Sequence, residues 1–481
     1  MARRWASVAL ALSALGATAA GEPSGRAVRA ALDKVLSRPA FESAFWGIEV
    51  RRLRDGRVLY ARNERKSMTP ASVLKLVVTA AVLDAMGPDA RLRTTLETTG
   101  SLDPSGTLQG DVYLVGRGDP TLAEPSSEGR NGFEALAEDL WNAGVRRIEG
   151  RIVGHEGFFK GDRRGDGWQW EDLVWCYGAE VSALSWNDNC ATLVLQPGAS
   201  VGDPLLVSRQ PASSYYSVVS TAVTAAAGSD AEPRLVRNFG TNLVSLSGGL
   251  PLGAASETLS VALEDPARYA ATVFVELLES RGIALARPVA TSSDALPPTV
   301  RILAAHESPP LAELLKGVNK PSQNMRSEIL LRVLGAATKG EGSASAGHAA
   351  VMDFLQRIGV GHEGWALWDA AGLAHTDLVT AHDIVSLLGT MDRHPYALAF
   401  RGSLAVAGVD GTLAGRMRGT PAEGRILAKT GTLRQAHALA GYVNTRSGDR
   451  LAFSVAINHH TGPGREAVAA IDEVAAFLAG L

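Results

Sequence analysis

The sequence has little cysteine, little net charge and no long apolar run beyond its N-terminus. Its 481 residues include only two cysteines, and no Cys/His spacing is typical of a zinc site. A formal net charge of −3 excludes a strong attraction to nucleic acid or to an acidic membrane surface. What remains is the ordinary composition of a globular protein, long enough for two or three domains and a large core.

The first 20 residues predict a signal peptide. Arg3 and Arg4 precede an apolar run over residues 5–15, and Ala17-Thr18-Ala19 is typical of a cleavage site, with a cut after residue 20 as the alternative. The run is too short for a membrane span, and no cysteine stands at the cleavage point to carry a lipid. We therefore expect an exported, periplasmic protein whose mature chain has no stable membrane span.

Export would place the two cysteines, Cys176 and Cys190, in an oxidising compartment. A disulfide between them is one interpretation, and two separate buried thiols are the other. The distance between the two residues decides, and the sequence does not give that distance.

The chain is organised around a segment that begins at residue 69. Thr69-Pro70 is typical of a helix entry, and the apolar run that follows predicts a helix buried on most faces and ending at Gly87-Pro88. Ser72 and Lys75 lie one turn apart and share a face of this helix. A hydroxyl at the positive end of a helix beside a desolvated amine is an activated nucleophile. The alternative is a surface serine and a lysine whose amine reaches solvent, since Ser-x-x-Lys is common by chance.

Two further polar motifs follow near the end of the chain. Ser322-x-Asn324 lies in a loop that opens a helix, where Ser and Asn also serve as ordinary caps. Lys429-Thr430-Gly431-Thr432 lies on a predicted strand over residues 426–433. The glycine lets a ligand backbone approach, and the lysine and threonine suit a carboxylate. The alternative for the strand is an exposed end with a solvated lysine.

The pattern along the chain predicts an α+β fold with an insertion. Residues 92–258 consist mainly of short alternating segments separated by Gly, Asp and Pro, and we expect one or two mostly β inserted domains there. Residues 21–91 and 259–481 would form one discontinuous catalytic domain, because both termini are helical and the C-terminal part is an antiparallel unit. A glycine loop at 116–120 lacks the lysine of a phosphate site.

The three motifs occur in the order and contexts of active-site-serine β-lactamases and penicillin-binding proteins. More broadly, the chain resembles the low-molecular-mass class C penicillin-binding proteins, which are D-alanyl-D-alanine carboxypeptidases and endopeptidases. The long gap between Ser72 and Ser322 fits this family, which places extra domains there. Further matching stretches span nearly the whole mature chain: residues 113–120, 177–184, 306–320, 408–413 and 428–433.

This resemblance implies a penicillin-binding/β-lactamase-like transpeptidase domain, in which an antiparallel sheet is flanked by helices. It implies peptidoglycan stem peptides as substrates, β-lactams as covalent inhibitors, and no metal or nucleotide cofactor. By the same resemblance, backbone N–H groups of Ser72 and Thr432 form an oxyanion hole. The side chains that it assigns to catalysis are Ser72, Lys75, Ser322, Asn324 and Lys429, and those that it assigns to substrate binding are Thr430, Gly431 and Thr432.

One stretch departs from the family pattern. Where the family has Asp-Gly-Ser-Gly-Leu-Ser-Arg, this chain has Asp369-Ala-Ala-Gly-Leu-Ala-His375. We expect the chemistry to survive and substrate positioning to be affected. Two other interpretations stay open: a β-lactamase, which would need a base for rapid deacylation, and a non-catalytic cell-wall scaffold on the same fold.

Overall fold

The structure is a computed structural model that describes residues 25–127 and 129–481. The predicted signal peptide, residues 1–20, lies outside the described residues. Among the described helices, none combines the length and the apolar character needed to cross a bilayer.

The described chain contains the following helices and strands. The helices are α1 (Gly25–Leu36), α2 (Lys75–Met86), α3 (Gly132–Asn142), α4 (Pro266–Ser280), α5 (Leu311–Asn319), α6 (Asn324–Lys339), α7 (Ala344–Arg357), α8 (Ala381–Arg393), α9 (Ala397–Gly402) and α10 (Gly464–Gly480). The strands are β1 (Phe45–Arg52), β2 (Val58–Arg62), β3 (Arg93–Thr98), β4 (Ser101–Leu102), β5 (Thr107–Gln109), β6 (Val112–Val115), β7 (Arg147–Ile148), β8 (Ile152–His155), β9 (Cys190–Gln196), β10 (Leu206–Gln210), β11 (Ser217–Ser220), β12 (Val223–Ala225), β13 (Pro233–Arg237), β14 (Leu243–Pro251), β15 (Glu257–Ala262), β16 (Ala284–Leu285), β17 (Ala290–Ser292), β18 (Arg301–Glu307), β19 (Ala405–Val406), β20 (Ile426–Leu433), β21 (Ala436–Asn444) and β22 (Arg450–Asn458).

Both ends of the chain build one six-stranded sheet, in the order β19-β20-β21-β22-β1-β2 with antiparallel neighbours. One face packs on α1 and α10. The other face packs on a core that includes α2 and α5 to α8. Strands β21 and β22 are apolar on both faces because helices cover both sides of the sheet. The expected antiparallel sheet flanked by helices is therefore confirmed.

Helix α2 is buried over most of its length. All residues from Lys75 to Leu83 are buried, as the apolar run predicts. The helix ends at Gly87, whose φ of 76° is the left-handed conformation that glycine adopts readily. A polar side chain on this helix is therefore buried and needs a hydrogen-bond partner.

The insertion has its own core, but it ends later than the sequence predicts. Helix α4 packs in the second core through Phe274, and β18 pairs with β3. The chain leaves and re-enters the first domain at one point, where Ser308 N–H donates to the Leu92 carbonyl at 2.8 Å. The expected boundary at residue 258 is therefore wrong, because residues 259–307 pack with the insertion.

The insertion also contains more than antiparallel β structure. Helices α3 and α4 belong to it, and the pairs β6–β8 and β8–β17 are parallel. The expected "mostly β" description holds for residues 190–262, where strands β9 to β15 form two small sheets.

Candidate active site

The first motif lies where a short 3-10 turn, Ala71–Leu74, runs into α2. Ala71 has φ +46°, an unfavourable conformation for a residue with a side chain. Gly372 packs so closely on it that an added Cβ would lie 2.0 Å from the Ala71 carbonyl oxygen. This contact and the buried helix fix the backbone from which the Ser72 side chain projects.

Lys75 is fully buried and is held by three oxygens. Its Nζ lies 2.7 Å from Ser72 Oγ, 2.8 Å from Asn324 Oδ1 and 2.6 Å from the carbonyl oxygen of Ala371. A neutral amine has two N–H donors and one lone pair. It can therefore match this set by donating to the two carbonyl-type oxygens and accepting the proton of the Ser72 hydroxyl, whose oxygen also lies 3.1 Å from the Ala371 carbonyl oxygen.

Burial lowers the pKa of Lys75 to about 7, against the electrostatic effect of the carboxyls of Asp369, Glu328 and Asp377, which raises it. The two lysines are coupled, because the pKa of Lys429 is itself held well below its usual range by burial and by Lys75. A substantial fraction of Lys75 is thus uncharged near neutral pH, as a general base requires.

The second and third motifs meet across the same cleft. Lys429 on β20 is fully buried, and its Nζ donates to Ser322 Oγ at 2.7 Å and to the Thr430 carbonyl at 2.8 Å. Thr430 donates from its hydroxyl to Thr412 Oγ1 at 2.8 Å. Ser322 itself has φ +66°, so its backbone is held in a conformation that few residues adopt.

Asn324 connects the two domains at the site. Its Oδ1 accepts from Lys75, and its Nδ2 donates to the carbonyl of Tyr177 at 2.9 Å. Asn324 is the first residue of α6 rather than a loop residue, which corrects the sequence prediction. Tyr177 follows Cys176, which forms a disulfide with Cys190. The disulfide interpretation is therefore correct, and the bond lies next to the carbonyl that holds Asn324.

Strand β20 presents a free edge beside the serine. Strand β19 pairs only with Leu427 and Ala428, so the outer edge from Lys429 onward is open on that side. Gly431 fits tightly under the 3-10 turn, since an added Cβ would lie 2.4 Å from the Pro70 carbonyl oxygen. An extended peptide can therefore add to this edge directly in front of Ser72.

A cleft of about 620 Å³ opens in front of Ser72, Ser322, Asn324 and Thr432, whereas Lys75 and Lys429 are fully buried and do not line it. One wall comes from the insertion and the other from the sheet and the 369–375 stretch. The residues that line the cleft are Ser72, Gln169, Glu171, Asp172, Trp175, Tyr177, Ser322, Asn324, Gly372, Leu373, His375, Thr432, Leu433, Arg434, His437 and Gly464.

Several contributors to the site had no signal in the sequence. The Ala371 and Tyr177 carbonyls are backbone groups, so no residue type marks them. The altered stretch therefore still supplies its contact to Lys75 although its side chain at 371 is only a methyl group. Thr412 had a weak signal, since it lies in the 408–413 stretch that matches the family.

Comparisons with known proteins agree with this geometry. The family model described as the D-Ala-D-Ala carboxypeptidase 3 (S13) family matches residues 28–478. A D-alanyl-D-alanine carboxypeptidase of Actinomadura sp. (strain R39) is 37% identical, over 94% of this chain and 84% of that protein.

Solved structures give the same result. The crystal structure of penicillin binding protein 4 from Haemophilus influenzae superposes with a TM-score of 0.80 at 25% identity, over 94% of this chain and 98% of that one. A predatory peptidoglycan endopeptidase from Bdellovibrio bacteriovorus shares the fold at 15% identity, with a TM-score of 0.52 over 89% of this chain and 91% of that one. The chain belongs to the D-Ala-D-Ala carboxypeptidase 3 (S13) family.

Proposed function

We propose that the chain is a serine peptidase that hydrolyses the D-alanyl-D-alanine bond of peptidoglycan stem peptides through an acyl-enzyme on Ser72. The observation that carries this proposal is the buried amine of Lys75, whose pKa burial lowers to about 7, at 2.7 Å from the oxygen of Ser72, which lines a cleft beside an open strand edge. Membership of the S13 family and the carboxypeptidase relative support it.

The first step is attack of Ser72 Oγ on the carbonyl carbon between the two D-alanines. The hydroxyl proton passes to Lys75 Nζ, which keeps its two hydrogen bonds to Asn324 and Ala371 throughout. Backbone N–H groups of Ser72 and Thr432 receive the developing oxyanion, since Gly431 brings β20 against the turn that carries the serine.

The terminal carboxylate of the substrate binds at Lys429 and Thr430. A carboxylate beside Lys429 favours the charged form of that amine, which burial and Lys75 disfavour in the free protein. The resulting positive charge in turn opposes protonation of Lys75 before attack. Substrate binding thus directs the charge to Lys429 and keeps Lys75 available as the base.

Ser322 delivers the proton to the leaving amine of the terminal D-alanine. Its hydroxyl accepts from Lys429 at 2.7 Å, so its own proton is free to point into the cleft that it lines. Asn324 orients Lys75 and offers its amide to the peptide. Water then hydrolyses the ester, and the serine regains its proton.

β-Lactams follow the same path and form a long-lived ester on Ser72. A structure of the Haemophilus influenzae protein complexed with a β-lactam is known, which supports this part of the proposal. Residues 1–20 serve as the signal peptide and the enzyme works in the periplasm, where the Cys176–Cys190 disulfide persists.

The experiment that tests the function offers the purified protein a pentapeptide ending in D-Ala-D-Ala and, separately, cross-linked muropeptide dimers. Release of D-alanine from the first shows carboxypeptidase activity, and monomers from the second show cleavage of D-alanyl–meso-diaminopimelyl bonds. Rapid turnover of penicillin with no stable adduct would indicate a β-lactamase. No product and no adduct would indicate a scaffold and would contradict the proposal.

Replacing Gly372 with alanine tests the support of the serine. An added Cβ meets the Ala71 carbonyl oxygen at 2.0 Å and lies 3.0 Å from Ser72 N, and φ is +72°. The backbone at 71–72 must move, and a displacement of about 1 Å at a nucleophile costs on the order of 100-fold in rate. The measurement is the acylation rate with a fluorescent penicillin.

Gly359→Ala is the matched control, because Gly359 has φ +69° and open space around the added Cβ. We expect this control to lose about 1 kcal/mol of stability through strain alone and to acylate normally. Equal acylation rates for the two variants would show that the Gly372 contact does not position Ser72.

Removing the disulfide with the double substitution Cys176→Ser and Cys190→Ser is expected to slow acylation as well as destabilise the fold. A cross-link that closes a loop of this length is worth about 3 kcal/mol in the chain-entropy model, and 14 residues separate the cysteines. The loosened Tyr177 carbonyl also leaves the Asn324 amide less well held. Chemical denaturation and acylation kinetics measure the two effects.

Leu246→Ala is the control for stability alone. Leu246 is buried in the second core, and its truncation costs about 2–5 kcal/mol without touching the cleft. If Leu246→Ala and the double cysteine variant lose equal stability and equal acylation rate, the disulfide affects the site only through the stability of the fold.

A further inference from the structure

A group of buried carboxyls lies behind the stretch that offers its carbonyl to Lys75. Asp369 is 2% exposed, and Asp377 and Glu328 are 0% exposed. All three act electrostatically on Lys75. The mechanism above gives none of them a task, yet three negative charges here would oppose an uncharged Lys75.

Asp369 has the surroundings of an ionised carboxylate. Its Oδ1 accepts from the backbone N–H of Gly372 at 2.6 Å. Its Oδ2 accepts from Trp168 Nε1 at 2.8 Å, from Leu373 N–H at 2.8 Å and from Ala374 N–H at 3.0 Å. Four donors to one carboxylate fix the turn that includes Ala371 and Gly372.

Asp377 has different surroundings. Its Oδ1 accepts from the Trp368 N–H at 2.7 Å, but its Oδ2 is buried and receives no hydrogen bond from the described residues. The side chain is within hydrogen-bonding reach of that of Asp369. Two ionised carboxylates cannot form such a contact, because neither has a proton to donate. A single proton shared by the two carboxyls gives the buried Oδ2 of Asp377 a hydrogen bond.

The charged groups around the pair do not supply a cation to Asp377. Arg332 on α6 is occupied by Glu328 at 2.9 Å, and His348 on α7 lies 3.2 Å from the Asp369 carbonyl rather than its carboxylate. Lys75 on α2 is bonded to other oxygens. Burial, followed by the charge of Asp369, raises the pKa of Asp377 to about 10.

We propose that Asp377 is a neutral carboxylic acid in the folded enzyme, that its O–H donates to Asp369, and that this bond positions the turn whose Ala371 carbonyl holds Lys75. Asp377 is thus a positioning residue. It acts through Asp369 and the backbone of the turn, and its neutrality spares Lys75 a further nearby negative charge.

The protonation state and its catalytic consequence are separable. The consequence for acylation rests on the function proposed above, whereas the proton on Asp377 does not. Measurements on the unreacted protein therefore test the proton, and acylation kinetics test the positioning.

Infrared spectroscopy at pH 8 gives the spectroscopic test. Exposed carboxyls are ionised at that pH, so a C=O band of a protonated carboxylic acid must come from a buried one. We expect the wild-type spectrum minus that of Asp377→Asn to contain this band. Burial also raises the pKa of Glu328 and of Asp119, so any band left in the variant is assigned by Glu328→Gln and Asp119→Asn. A difference spectrum without the band would overturn the proposal.

Stability against pH gives a second test of the proton. Between its unfolded pKa near 4 and its folded pKa of about 10, Asp377 holds a proton only in the folded state. The stabilisation that this bound proton gives the folded state is complete below the unfolded pKa and is lost as the pH rises from there to the folded pKa. Asp377→Asn has no such loss, so its melting temperature relative to wild type should increase steadily from pH 5 to pH 9. Asp230→Asn, at an exposed position, is the control and should show no trend.

The conservative substitution tests the positioning. The side-chain amide introduced by Asp377→Asn donates to Asp369 at every pH, so this variant should acylate within about threefold of wild type. Asp377→Ala loses a buried hydrogen bond and should fall at least about tenfold. If Asp377→Ala acylates normally while folded, the positioning role is excluded. If Asp377→Asn is as slow as the alanine variant, the donor role is excluded.

Discussion

Ser72→Ala is expected to abolish acyl-enzyme formation, with a loss of about 10⁴-fold or more in the hydrolysis of a D-Ala-D-Ala peptide. In the proposed mechanism, Ser72 Oγ is the only atom that bonds covalently to the substrate, and this variant removes it. Ser72 is partly exposed, and among the described residues its hydroxyl forms hydrogen bonds with Lys75 and the Ala371 carbonyl. The fold should therefore persist, with an unfolding midpoint near that of wild type.

Ser67→Ala is the matched control for this substitution. Ser67 lies five positions earlier, is exposed, and donates to the Gly364 carbonyl outside the cleft. It should acylate and hydrolyse like wild type. A covalent penicillin adduct on the Ser72→Ala variant would assign the nucleophile to another residue.

Lys75→Met is expected to cost about 10²–10⁴-fold in the acylation rate, the range that a positioned general base contributes. Methionine is of similar length and needs no charge, so the buried position stays filled. The variant leaves Asn324 Oδ1 without its donor, at about 1–3 kcal/mol, whereas the Ala371 carbonyl keeps the Ser72 hydroxyl at 3.1 Å. Removal of a costly buried amine offsets this loss.

The same lysine predicts the pH dependence of the wild-type enzyme. The competent form is the neutral amine, which predominates above a pKa of about 7. The acylation rate should therefore rise with pH below about 7 and level off above it. The free energy of unfolding should also increase with pH, because Lys75 keeps its proton in the unfolded chain up to a pKa near 10 but loses it in the folded chain at about 7. This contribution is lowest below pH 7 and increases as the pH rises toward 10.

Lys316→Met, at a partly exposed lysine on α5, controls for the loss of a charge and should change neither the rate nor the profile. An acylation rate that is flat from pH 5 to pH 9 in the wild type would show that Lys75 is not the base. If Lys75→Met keeps both the acylation rate and the rise of that rate with pH below about 7, Lys75 is likewise not the base.

The sequence predicted the elements of the site because each has a strong local pattern. The apolar run after Pro70 predicts a buried helix, and Ser72 and Lys75 lie one turn apart at its start. The alternation from Ile426 to Leu433 identified β20. The order of the three motifs then allowed the prediction of one shared cleft before any distance was known.

The parts that the sequence did not predict depend on contacts between distant segments. The insertion ends at β18 because that strand pairs with β3, and neither segment carries a local sign of its partner. The Ala371 carbonyl has no side-chain signature. Asp377 looks like any loop aspartate until the structure places it against Asp369. The disulfide likewise needed the Cα–Cα distance of 5.6 Å.

The most direct test of the central claim is to locate the adduct that benzylpenicillin forms. After brief incubation, trypsin digestion and fragmentation by mass spectrometry, we expect one intact penicillin on the peptide of residues 67–75, at the oxygen of Ser72, in wild type and in Ser67→Ala. We expect no adduct in Ser72→Ala. An adduct on any other residue, or none in the folded wild-type protein, would contradict the assignment of Ser72 as the nucleophile.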